Sequence, residues 1–343
     1  MSYPPDTSLT NGLVTDSSET MTKDDARKVV DLGKEFTEFA ASVGVEGPWM
    51  LISGKFLEHD PLEDMVLRSC MRVFNYPNPE QYANRTINLL LDSPGGSLDG
   101  AFRTVLYLHR YAKYLDVYVP DRAKSASTLI ALSARTIYMS PFGELGPLDT
   151  QIHDPRDPGT DISALDCYQS VDYVREFGFG TMEKALSLLS DKTRGQIALS
   201  DLLETASDFA IGAITPMLEG VRALDFGTWG RSLKIGEEYA RRIVKAQNPD
   251  EARAKRIASS LVYGYTHHPF PIDIDEAVRL KLRATLMKEE IYQRAREIVK
   301  SCHKKIFVDF ISEKEAADES KAPAEEELSD TQGEGTGGPV AVA

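Results

Sequence analysis

Cysteine is scarce in this chain of 343 residues: Cys70, Cys167 and Cys302 stand far apart and form no CxxC pair. That spacing excludes a disulfide framework and a cysteine-built zinc site, and it fits a reducing compartment. Long apolar runs are missing as well. No window reaches the 18 apolar residues of a membrane-spanning helix. The N-terminus, MSYPPDTSLTNGLVTDSSETMTKDD, has neither the basic region nor the apolar stretch of a secretory signal, so a cytoplasmic protein without a membrane span is expected. Positive charge is in deficit, with a net charge of −14, which argues against nucleic acid as the main partner. Part of the charge is local: Glu313 to Asp330 holds eight acidic residues against two lysines. No EF-hand, P-loop or HExxH pattern occurs, so the sequence gives no support for a metal, a nucleotide or any other cofactor. No internal repeat is found.

Hydrophobic residues make up 42% and charged residues 27%, as in a globular protein with a full core. Residues 1–24 are rich in Ser, Thr, Asp and Pro and are expected to be disordered, as are the Ala-, Glu-, Pro- and Gly-rich residues 313–343. Between them, 25–312 reads as one domain. A helix is expected to start near Thr22, with Val29, Val30, Leu32, Phe36 and Phe39 on one side. Trp49 to Phe56 reads as a strand and Pro61 to Phe74 as a short helix. Strands follow at Ile87–Leu91, Val117–Val119 and Thr136–Met139, with helices between them. This alternation predicts an α/β fold with a parallel sheet of βα units flanked by helices. From about 181 to 260 the pattern is mainly helical, with breaks at Pro216, Gly220 and Gly227. Leu261 to Leu282 reads as a loop feeding a short helix, and Arg283 to Ser312 as a helix followed by a brief strand.

Chemistry concentrates between Asn88 and Gln151. A Gly95-Gly96 turn follows one strand, and Ser125 sits in a small-residue turn after the next. Active sites of parallel sheets lie beyond the carboxyl ends of the strands, so both turns fall on one edge. A hydroxyl at a strand-to-helix turn, close to free backbone N–H groups, suits acyl transfer. A capping role for Ser125 is the alternative, and Ser127 is a rival hydroxyl two residues on. Gly95 and Gly96 equally suit a tight turn that needs positive φ. Lys124 adjoins Ser125, but neighbouring side chains point apart, so direct proton transfer between them is not expected. Lys184 and Lys192 fit the spacing of a Ser-Lys pair poorly. His59, His109 and His303 have no evident partners.

These segments resemble the ClpP/crotonase superfamily, and within it the serine dehydrogenase proteinase family. The resemblance rests on four ordered blocks spanning about 190 residues: Ser93-Pro94-Gly95-Gly96, Arg122 to Ala134, Met139 to Gln151, and Thr266 to Ala277. It departs from the family at Ala126-Ser127, where Gly-Gly is usual, at Lys124, where an apolar residue is usual, and at His267-His268-Pro269.

The resemblance implies a ClpP/crotonase-like fold and a serine endopeptidase acting on a peptide or protein substrate. Ser125 would be the nucleophile, and the amides of Gly95, Gly96 and Ala126 would bind the oxyanion. Asp149 would orient the base. Counting back from Pro271 makes His268 the preferred base; counting forward from Thr266 makes His267 an alternative, and ClpP-style spacing makes His153 another. A homo-oligomer is expected. The resemblance leaves two alternatives: a crotonase-like enzyme acting on acyl thioesters with the same oxyanion hole and no nucleophile, or a non-catalytic scaffold that kept the fold.

Overall fold

Strand residues 86–92, TINLLLD, are buried almost without interruption, and the reason is that both faces of this strand are covered. Near-continuous apolar runs mark strands in the middle of a sheet with helices on each side. The computed structural model describes residues 13–14, 23–54, 85–154, 157–302 and 306–311. The first half contains strand β1 (Leu13–Val14), helix α1 (Lys23–Ser42), β2 (Trp49–Ser53), β3 (Thr86–Asp92), α2 (Leu98–Tyr111), β4 (Tyr114–Val119), β5 (Arg122–Ala123), α3 (Ala126–Leu132), β6 (Thr136–Met139) and β7 (Glu144–Leu145). A hairpin, β8 (Gln151–Asp154) and β9 (Asp157–Ser163), leads into α4 (Ala164–Thr193), α5 (Leu199–Leu218), α6 (Ala223–Gln247) and α7 (Glu251–Tyr263). The chain then forms α8 (Ile274–Arg279), β10 (Ala284–Leu286), α9 (Glu289–Ser301) and β11 (Ile306–Ile311).

The main sheet has the order β1-β11-β2-β3-β4-β6-β10. Strands β2, β3, β4, β6 and β10 run parallel; β11 and β1 close one side in antiparallel pairing. Because strand side chains alternate between faces, each strand feeds two cores. Met50, Ile52, Leu89, Leu91, Val117 and Ile137 point to one face and join α2, α3, α6 and α7. Trp49, Leu51, Leu90 and Tyr118 point to the other and join Phe36 and Phe39 of α1 with Ile291, Tyr292 and Ile298 of α9. On this second face Phe39, Trp49, Tyr118 and Tyr138 form a chain of ring contacts, with successive centroids 5.1, 4.9 and 4.6 Å apart.

The expected α/β class, parallel sheet and helical later half are present. Several local expectations need correction. Residues 151–154 and 157–163 pair as two antiparallel strands that the polar, proline-containing sequence does not signal. The helical region already begins at Ala164. Gly227 lies inside α6 rather than at a break, and Pro216 sits within the last turn of α5. Leu13–Val14 pairs with β11, inside a segment expected to be unstructured, because that edge strand leaves backbone groups to be paired. The helix expected over Pro61–Phe74, the rest of residues 1–22, the tail beyond 311, and His59 and His303 lie outside the described residues. Among the described residues no helix is long and apolar enough to cross a membrane.

Candidate active site

Beyond the carboxyl ends of β3, β4 and β6 the chain builds a small second ledge. Ser93 bridges Ala123 in parallel, β5 pairs with β7, and Leu145 bridges Ile272 in antiparallel fashion. Each segment of this ledge carries one candidate residue: the Gly95-Gly96 turn follows Ser93, Ser125 follows β5, Asp149 follows β7, and His268 precedes Ile272.

Ser125 has φ 50° and ψ −120°, a left-handed conformation that a non-glycine residue adopts only under constraint. Its hydroxyl makes no capping bond to α3, so the capping role is not what holds it there. The constraint comes from both sides. The amides of Ser127 and Thr128 donate to the carbonyls of Lys124 and Ser125 at 2.9 and 2.8 Å. The Thr128 hydroxyl lies 2.6 Å from Ala123 O and 2.9 Å from Gly146 O, while the Gly146 amide donates back to it at 2.9 Å. This threonine joins the start of α3 to the segment bearing Asp149. Ser127, the rival hydroxyl, is fully buried in α3 and finds no hydrogen-bond partner among the described residues.

Gly95 is held against this turn. Its φ is +102°, and a Cβ there would stand 2.6 Å from Lys124 O, 2.8 Å from Ser125 Cβ and 3.2 Å from the Ala126 amide nitrogen. Only glycine lets the two turns approach this closely. The Gly95 amide donates to Ser93 Oγ at 3.1 Å, so an oxyanion at this spot competes with that hydroxyl. Gly96 has φ +145°. Beneath the turn, Asp92 is buried at the end of β3 and accepts from the Arg122 amide at 3.3 Å. Burial pushes its carboxyl up to about 6.

Asp149 is 2% exposed and uses both oxygens. Oδ1 lies 2.8 Å from His268 Nδ1, and Oδ2 accepts from the Ser163 hydroxyl at 2.9 Å. A carboxylate can only accept, so Nδ1 carries a hydrogen, and in the neutral ring Nε2 is then the nitrogen with the lone pair. The residues beside Asp149 are anchored too: the Leu148 amide donates to Leu261 O at 2.8 Å, and the Thr150 hydroxyl to Ser232 O at 3.1 Å. The structure therefore joins Asp149 to His268 rather than to His267. The His267 Nδ1 faces its neighbour Thr266 at 3.3 Å, and its ring packs edge-on against Phe270. His153 sits in β8 opposite Asp161; its side chain lies outside what is described. Lys184 and Lys192 are exposed on α4.

Sequence reasoning did not single out Ser163. Its signal was available as an S-x-x-D pattern, since Ser163 caps α4 by accepting from the amides of Leu165 and Asp166. Among the described residues no group of three or more His, Cys, Asp or Glu is placed to hold a metal ion.

No family model matches this chain. A curated relative, an uncharacterized protein of Methanocaldococcus jannaschii, is 25% identical over 210 residues, covering 61% of this chain and 57% of that protein. The chain thus spans little more than half the length of that relative. A solved structure of a mutant membrane-bound stomatin-specific protease, 1510-N, is similar at 12% identity and a TM-score of 0.39, over 71% of this chain and 81% of that one. A second mutant of the same protease, in complex with a substrate peptide, is similar at 17% identity and a TM-score of 0.26, over 40% and 60% of the two chains.

Proposed function

We propose that this chain is a ClpP-like serine peptidase that cleaves peptide bonds through an acyl-enzyme on Ser125. The observation that carries the proposal is the buried Asp149 carboxylate bound to His268, on the same ledge as a strained, uncapped serine. A serine hydroxyl is a poor nucleophile without a base, and a histidine held in one tautomer by a carboxylate supplies one.

In the proposed reaction Ser125 Oγ attacks the substrate carbonyl carbon and its proton passes to His268 Nε2. The Asp149 carboxylate stabilises the resulting imidazolium, and the amides of Ala126 and Gly95 face the oxyanion. Gly95 reaches it by releasing the Ser93 hydroxyl. Collapse of the tetrahedral intermediate breaks the C–N bond, and the amine leaves with the proton from His268. Water, deprotonated by the same histidine, then hydrolyses the ester and restores Ser125. Each oxyanion donor is worth about 10²–10³ in kcat.

The test is cleavage of an unfolded protein such as fluorescein-labelled casein. Ser125→Ala and His268→Ala should each lower the rate by about 10⁴-fold or more. Undiminished cleavage by Ser125→Ala would end the proposal. Assembly into a homo-oligomer belongs to the same reading. Tyr173, Phe179 and Phe209 on the α4–α5 hairpin are 68%, 62% and 63% exposed, apolar side chains that a second copy of the chain would cover.

A further inference from the structure

The residue preceding Ser125 does something a serine turn does not require. Lys124 Nζ lies 2.9 Å from Glu144 Oε2, 3.4 Å from Pro269 O and 3.3 Å from Phe270 O. An ammonium has three donors, and three oxygens surround this one. Two of those oxygens belong to the residues immediately after His268. The side chain is only 14% exposed. Its stem runs across Gly146, where a Cβ would stand 2.7 Å from Lys124 Cδ. The glycine next to Pro147 thus leaves the path that the lysine occupies. An ammonium with its hydrogens directed at three oxygens offers no lone pair to a proton, which separates this arrangement from a Ser-Lys pair.

We propose that Lys124 is a positioning residue: a clamp from the nucleophile turn to the loop at 264–273, holding His268 where it meets Ser125. The inference rests on the reading of Ser125 and His268 as nucleophile and base. Its logic is mechanical. Asp149 fixes the ring orientation of His268 but grips only the side chain. On the backbone side this loop is tied by the paired amides and carbonyls of Leu145 and Ile272 and by the Phe270 amide to His267 O. Lys124 adds a direct link from the residue beside Ser125 to the two residues that follow His268. It acts through His268 and touches no reacting atom.

The test uses the full chain and two readouts. Lys124→Met keeps the stem on Gly146 and removes the three donors. Amide exchange of residues 265–272, read at Phe270 and Ile272, should accelerate about tenfold or more, the scale of one lost charge-assisted hydrogen bond. Exchange in β3 and β4 should stay unchanged. The rate of fluorophosphonate labelling should fall about 10- to 100-fold in the wild-type background and not fall further in a His268→Ala background, because a residue acting through His268 has nothing left to position. Unchanged exchange at 265–272, or an equal loss of labelling in both backgrounds, overturns the clamp. Accelerated exchange in a protein whose wild type is never labelled supports the clamp and refutes the nucleophile reading. Glu144→Gln, which keeps the lysine and weakens its anchor, guards against misfolding of the first variant. It should accelerate the same two amides about threefold, and no change there counts against the clamp.

Discussion

Replacing Gly95 by alanine separates two costs that are often merged. The first is conformational. At φ +102° an L-residue is strained by about 1–2 kcal/mol. The second is steric. The new Cβ would meet Lys124 O at 2.6 Å and Ser125 Cβ at 2.8 Å, both on or next to backbone already fixed by hydrogen bonds, so neither can swing away. Forced overpacking of this kind adds about 1–3 kcal/mol. Together they place Gly95→Ala at about 2–5 kcal/mol of destabilisation. Gly44 provides the control: its φ is +63°, with nothing within 4 Å of the added Cβ, so Gly44→Ala should show the conformational cost alone, about 1 kcal/mol. Urea denaturation of both variants measures the difference. Gly95→Ala should also lose fluorophosphonate labelling while still folded in the absence of urea, since relief of the clash moves Ser125 or the Ala126 amide. If the two variants prove equally stable and equally labelled, the close approach of the two turns is not what Gly95 provides.

Three further outcomes are expected. Asp92 titrates near 6 in the fold against 3.8 ordinarily, so the unfolded chain loses its proton first as pH rises. Stability attributable to this group is complete below about pH 4 and lost by about pH 6. The loss is about 3 kcal/mol; Asp92→Asn should remove that slope in urea melts at stepped pH. Asp149→Asn should lower the labelling rate by about 10⁴-fold, because the amide favours the wrong histidine tautomer; labelling at the wild-type rate would remove Asp149 from the mechanism. Phe209→Glu and Phe179→Glu should shift the assembly toward single-chain mass in sedimentation velocity, and a wild type already at that mass would contradict the homo-oligomer.

The parallel sheet was legible because strands β3, β4 and β6 announce themselves as short apolar runs followed by Gly or small-residue turns. The long-range parts were not. Strand β10 is only three residues, RATLMK in context, and exists because β6 offers an edge with parallel register from Ala284 to Leu286. Counting back from Pro271 favoured His268 over His267, but the block can also be aligned from its other end. Three-dimensional anchoring decides which ring meets Asp149: Ile272 is pinned to Leu145, which orients the loop. The contacts of Lys124 were similarly invisible, since two of its three partners lie about 145 residues away in sequence.

The most direct test of the central claim is to label the wild-type protein with a fluorophosphonate probe and map the adduct by peptide mass spectrometry. A single adduct on Ser125, formed far more slowly in His268→Ala, is the predicted result. An adduct on another serine, or none in protein that is folded by circular dichroism, would contradict the assignment of Ser125 as an activated nucleophile.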